Sequence, residues 1–268
     1  VTRNWDAGAV LAASNEWVWV PEAAPVVRTD EYLVVAYPEW FLQTAVARVF
    51  GSERDAAELV DEIGRAALSL GREQLWWRLS DQTRPGGLEA ELVARGAVLT
   101  ERTDVLALPL EHRWPDIRVP DDVSVRRVLD EQTLRDVYVV EHDAFGSHEP
   151  TTDQIADGLS ELAVGRVDDS VGRFVAYIEG APAGAGGGGV VDGVCRLWGG
   201  CTHTSWRGRG AYRAVLEARL TTAAAAGATL GLTHGLVETS SPILRLLGFQ
   251  RYGEERVLRT DTAGQGLA

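Results

Sequence analysis

Lysine is absent: all 26 basic residues are arginine. That excludes Schiff-base chemistry on lysine and any P-loop, whose phosphate-binding step needs a lysine after its glycines. Cysteine is scarce. Cys195 and Cys201 fall in one predicted strand with roughly 20 Å between their Cα atoms, too far apart to bridge. Sparse, unpaired thiols point to a reducing cytoplasm. No charged-then-apolar leader opens the sequence and no run of about 18 apolar residues occurs, so neither secretion nor a membrane partner is expected. There is no G-x-S-x-G nucleophile elbow.

What is present is negative charge. A formal net charge of -13 argues against a nucleic-acid partner, which needs clustered cations to displace counterions, and suits a surface that attracts a cationic amine. With 268 residues, 45% of them hydrophobic, the chain can bury the core of one large domain or of two ordinary ones.

A proline- and charge-rich stretch from Pro109 to Asp122 separates two regions, each with its own alternation of strand-like and helix-like patterns. The expected domains are residues 1–115 and 116–268. In the first, Tyr32 to Tyr37 reads as a strand, Arg54 to Leu70 as an amphipathic helix stopped by Gly71, and Gln74 to Leu79 as a strand. In the second, a strand at Val123 to Arg127 precedes a helix from Glu131 to Phe145. Strands follow at Arg173 to Glu179, Ala183 to Val191 and Val194 to His203. A helix from Arg209 to Ala226 and a strand from Thr229 to His234 come next. Both regions then carry a Ser/Thr and proline-opened short helix closed by Gly96 or Gly248, followed by an extended segment. The shared order suggests a duplicated α/β unit.

The segment Leu197 to Leu220 carries most chemical information. A strand enters the loop Arg207-Gly208-Arg209-Gly210, which opens directly onto a long helix. Unpaired first-turn amides and the positive end of the helix dipole make this an anion site, glycines allow close backbone approach, and the arginines add charge. A pyrophosphate would fit.

These residues resemble the acetyl-CoA motif of the GNAT N-acetyltransferase superfamily, Q/R-x-x-G-x-G/A, with Arg207 first and Gly210 fourth. The later strand, the short helix and the turn Leu247-Gly248-Phe249, similar to the family's L-G-F, follow in order, so the resemblance spans Asp121 to Leu258. It implies two tandem acyl-CoA N-acyltransferase-like α/β (α+β) domains, each a mixed, mostly antiparallel twisted sheet flanked by helices. The first is a degenerate copy, since no glycine-rich loop stands between Tyr37 and Arg54. The resemblance further implies a strand that splays from its neighbour, and a donor held by Cys201, Thr202, His203, Thr204, Arg207, Gly208, Arg209, Gly210, Ala211, Tyr212, Ser241 and Leu244. Tyr212 stands where the family usually has Gly or Ala, and Leu244 where many members carry a tyrosine acid. A thiol leaves readily as thiolate, so that acid is optional.

The implied reaction is direct attack of a small primary amine on acetyl-CoA, with no metal. Amide groups near Thr202 would polarise the thioester carbonyl. The amine must lose a proton; among Glu141, His142, Asp143, His203, His234 and Glu238 the candidate bases retained are His203, preferred because it lies on the strand that faces the thioester, Glu141 and Glu238. Two alternatives stand beside this: acetylation of a thiol precursor, as tandem mycothiol-synthase-like members perform, and a non-catalytic acyl-CoA-binding sensor. Two weaker signals are set aside. Gly184 to Gly189 satisfies G-x-G-x-x-G but leads into no helix, and reads as a strand with close backbone approach. Glu141, His142, Asp143 and His148 match no standard zinc spacing.

Overall fold

Carboxylates and glycines set the helix ends. The Asp55 side chain accepts a hydrogen bond from the Ala57 amide, so the helix expected from Arg54 starts at Ala56. Asp130 and Thr133 form a reciprocal capping box, and Gly146, left-handed at φ 64°, ends the helix that they open. The structure, a computed structural model, describes residues 5–39, 41–110, 114, 117–146, 149–164 and 171–261; His148 lies outside them. In chain order the elements are α1 (Ala7–Asn15), β1 (Val26–Arg28), β2 (Tyr32–Ala36), β3 (Ala45–Val49), α2 (Ala56–Ser69), β4 (Gln74–Ser80), α3 (Leu88–Ala94), β5 (Val98–Pro109), β6 (Val123–Arg127), α4 (Glu131–Phe145), α5 (Thr152–Val164), β7 (Gly172–Ile178), β8 (Ala181–Val191), β9 (Val194–Thr202), α6 (Ala211–Ala225), β10 (Leu230–Leu236), α7 (Ser240–Leu246) and β11 (Gln250–Asp261). Among the described residues no helix is long and apolar enough to cross a membrane.

The chain divides into two compact units that are not contiguous in sequence. The N unit comprises Asp6–Leu106, His234–Ile243 and the chain from Arg251; the C unit comprises Ala107–Thr233 and Leu244–Gln250, with the first few residues. These units cross the expected cut near residue 115. The last strand, which follows the second half in sequence, lies in the N unit, where β11 pairs antiparallel with β4 from Glu255↔Ser80 to Asp261↔Gln74. Its Val257 and Leu258 are buried on opposite faces, each within a different N-unit cluster.

Strand order in the N unit is β1-β2-β3-β4-β11-β5, with β3 and β4 parallel. α2 and α3 pack on one face through Leu59, Ile63, Leu88 and Leu92. The other face carries Leu33, Val35, Val46 and Trp76, with the ring group Trp19, Tyr37 and Phe41. In the C unit the order is β10-β9-β8-β7-β6, with β9 and β10 parallel and the remaining pairs antiparallel. Alternation along β8 assigns its faces: Ala185 lies in the cluster of α4 and α5, while Gly184 and Gly186 meet Ala211 and Arg219 of α6. The glycine run is therefore a strand pressed close to a helix. A Cβ at Gly184 would lie 3.0 Å from that of Ala211, and one at Gly187 would overlap the Trp198 indole.

Candidate functional site

The C-unit sheet opens at one point. Parallel pairing of β9 with β10 runs from Val194↔Leu230 to Leu197↔Thr233 and stops, closed by the Thr233 hydroxyl donating to the Leu197 carbonyl at 3.0 Å. Pairing of β9 with β8 continues to Thr202↔Gly184. Among the described residues, Trp198 to Thr202 thus has a strand partner on the β8 edge alone. The register shifts between Ala185 and Gly187, which places two β9 residues, Gly199 and Gly200, against Gly186. This bulge needs glycine at Gly199, whose φ is 61°. The His203 amide donates to the Ala183 carbonyl at 3.0 Å, so strand alternation turns the Thr202 amide to the opposite edge.

Different groups flank the bulge on its two faces. On the α4 side, a Cβ at Gly199 would lie 3.6 Å from Glu141 Oε1. Arg173 Nη2 donates to that oxygen at 3.2 Å, and its guanidinium lies over the Trp198 and Tyr138 rings at 5.1 and 5.6 Å. Burial pushes the Glu141 carboxyl above the usual carboxylate range, opposed by the charge of Arg173. On the α6 side, Gly200 meets the Tyr212 ring and the Arg219 guanidinium.

Beyond β9, Asp143 anchors a single 3₁₀ turn, Thr204–Trp206. It accepts the Thr204 amide and, at 2.9 Å, the Thr204 hydroxyl, and the amide bond holds its carboxyl below the ordinary range. His203 Nδ1 lies 3.6 Å from Asp143 and accepts the Ser205 amide at 3.2 Å. That acceptor role leaves the proton of the neutral ring on Nε2.

The turn delivers the chain to α6. Gly208 and Gly210 are left-handed at φ 78° and 92°, and Gly210 is the N-cap, with no side chain bonded to the first-turn amides and no acidic residue in that turn. The helix expected from Arg209 therefore begins at Ala211. Arg209 is engaged by Asp122 at 2.7 Å and Glu179 at 3.0 Å, and stacks on Trp206. Arg207 is exposed and forms no ion pair among the described residues. Its charge is free for an anion at the bare helix end.

Cys201 is buried on the α4 face, its thiol pushed to about 12 by burial, and the strand alternation that turns the Thr202 amide to the open edge turns the Cys201 backbone to β8; it and Cys195 are both free. Ser241 is buried in the N unit and donates to Asp104 at 2.6 Å, a structural bond. Leu244 is buried in the C unit, and Glu238 is exposed in the N unit. Sequence reasoning missed Arg173 and Arg219. The signal for Arg219 was an arginine inside the buried stripe of α6.

No family model matches the chain, and no curated protein matches it in sequence. Solved structures match in fold. A GCN5-related N-acetyltransferase from Kribbella flavida is similar at TM-score 0.66 and 21% identity, covering 94% of this chain and 94% of that one. A second, from Sphaerobacter thermophilus, is similar at TM-score 0.64 and 17% identity over 87% of this chain and 81% of that one. A tandem GNAT protein from the clavulanic acid biosynthesis pathway gives TM-score 0.61 and 18% identity over 94% of this chain and 87% of that one. At these identities the likeness establishes the fold, and the expected mixed, mostly antiparallel α/β class is borne out.

Proposed function

We propose that the chain is an acyl-CoA-dependent N-acyltransferase that moves an acetyl group from acetyl-CoA to a primary amine by direct attack. The observation carrying this reading is the uncapped N-terminus of α6 beside the one-sided edge of β9. The residues fit the donor. Arg207 and the amides of Gly208, Gly210 and Ala211 suit a pyrophosphate, since charge, close backbone approach and the helix dipole coincide there. The free edge of β9 suits the amide-bearing pantetheine arm, and the Thr202 amide points to that edge.

Acetyl-CoA supplies an activated acyl thioester; the amine nitrogen bonds to its carbonyl carbon and the C–S bond breaks. The chain must take one proton from the amine. Of the three sequence candidates, Glu141 is the base: it borders the bulge, and its raised pKa makes it a stronger base than an exposed carboxylate. His203 is less suited, because its free nitrogen is engaged by the Ser205 amide. Arg173 keeps Glu141 oriented. The departing thiolate needs no acid, consistent with Leu244 in the tyrosine position. Glu141, Asp143 and the acidic chain favour a cationic small amine as acceptor. The N unit is then a cofactorless copy of the same fold, and the free thiols fit a cytoplasmic protein.

Glu141→Gln tests the role. The expected loss is about 10²- to 10⁴-fold in kcat with acetyl-CoA affinity unchanged. Wild-type activity should fall as the pH drops through a value above the ordinary carboxylate range, because the base works deprotonated. Release of CoA thiol against a panel of amines reads both. Donor binding without thiol release from any amine would favour the sensor reading.

A further inference from the structure

The apolar stripe of α6, Ala211, Ala214, Val215, Leu216, Leu220 and Ala223, is interrupted by Arg219, which is 2% exposed. A buried cation is costly unless its donors are satisfied, and among the described residues no carboxylate forms an ion pair with this one. Its partners are backbone carbonyls. Nη1 donates to Gly187 O and to Trp198 O, both at 3.2 Å, and Nε reaches Val215 O at 3.4 Å. The first two carbonyls bracket the bulge: Gly187 follows the register shift on β8, and Trp198 precedes Gly199 on β9.

The surrounding glycines make room for this side chain. A Cβ at Gly186 would lie 2.8 Å from Arg219 Nη1, and one at Gly200 would lie 3.2 Å from Nη2. In a planar trans peptide the N–H points opposite the C=O. With the Trp198 carbonyl drawn towards α6, the Gly199 N–H is turned to the opposite face, where Glu141 lies.

We propose that Arg219 is a positioning residue for acyl transfer, fixing the Trp198–Gly199 peptide so that the Gly199 N–H faces the Glu141 side of the bulge. The proposal rests on the acyltransferase reading for its consequence, but its geometry can be tested without turnover. Arg219→Met keeps the volume and removes the donors. Peptide-level hydrogen exchange across residues 198–202 should be at least about 10-fold faster than in the wild type, with α4 and β7 unchanged. In turnover, kcat should fall roughly 10- to 100-fold while acetyl-CoA affinity stays within about twofold, because a misplaced donor affects the reacting geometry before it affects binding. Arg219→Lys should recover part of both, since one ammonium can reach one carbonyl.

Should Arg219→Met fail to fold, Gly186→Ala displaces the guanidinium from the β8 side and should show the same pattern more weakly. Unchanged exchange across 198–202 together with wild-type kcat in a folded variant would overturn the proposal. A wild-type protein that turns over no amine would defeat the acyltransferase reading, while the exchange measurement would still decide what Arg219 holds.

Discussion

The two units carry the same local motif, a pair of parallel strands feeding a helix, and differ in what meets the helix end. In the C unit β9 and β10 part after Leu197/Thr233, and α6 begins at a glycine with bare amides. In the N unit β3 and β4 pair from Val46↔Trp76 to Arg48↔Arg78, but the Ser52 amide donates to the Arg84 carbonyl at 3.2 Å just beyond. There α2 is capped by the Asp55 carboxylate, has Glu58 in its first turn, and leaves Arg54 bound to Glu31 and Glu62 at 3.1 and 2.8 Å. A second anion would meet an acid already seated. The open cleft at the end of β4, of about 230 Å³, is likewise lined by Arg256 paired at 2.9 Å with both Asp81 and Glu89. At the C-unit helix end Arg207 forms no ion pair among the described residues, which suits the proposed donor site, whereas at the N-unit helix end the charges pair with each other.

Four changes sharpen this contrast. Gly210→Glu gives the C unit an acidic cap like that of the N unit, and its Cβ would lie 2.6 Å from Pro120; calorimetry should show acetyl-CoA affinity falling at least about 100-fold. Glu255→Gln strikes the N unit at a buried ion group, where Arg48 and Glu255 are each 1% exposed, 2.5 Å apart, with Arg78 at 2.9 Å. Denaturant melts should show a loss of about 3–5 kcal/mol, with donor affinity per folded chain unchanged.

Acid should act on the N unit through His234. Its Nε2 shares a hydrogen bond with the Ser14 hydroxyl at 2.7 Å, and the ring stacks on Trp17 and faces Glu255, Arg48 and Arg78. Burial pushes its pKa down from 6.5 to about 4. The folded state then binds the proton later than the unfolded state, so stability is full above 6.5 and lost as pH falls from 6.5 towards 4. Glu255, held below the ordinary range by the facing arginines against its own burial, adds a loss of the same sign at lower pH. Melts of the wild type and His234→Gln should diverge in the upper window. The smallest effect belongs to Asp55→Ala, which removes the carboxylate cap of α2 at a cost of about 1 kcal/mol and should create no second donor site.

Capping chemistry made α4 legible to the residue, because Asp130 and Gly146 mark both ends. The anion loop was legible for the same reason: glycine and arginine punctuate it. Other elements were hidden by packing. β3 was not read because Arg48, buried only through its ion pair, breaks the apolar run. α5 contains Gly158, a poor helix former, present because a Cβ there would lie 2.8 Å from the Tyr138 hydroxyl. The place of β11 depends on which sheet edge accepts it, and its own alternation carries no such information. Within the site, nothing in the sequence shows that Glu141 borders the bulge at Gly199, and Arg219 becomes meaningful only beside the carbonyls it holds.

The contrast between the two helix ends is tested most directly by calorimetric titration of the intact chain with acetyl-CoA, read as sites per chain. One site, lost in Gly210→Glu, is the predicted result. Two sites would contradict the reading of the N unit as closed by its own carboxylates, and no site would show that Tyr212, packed on Gly200, shuts the C unit as well.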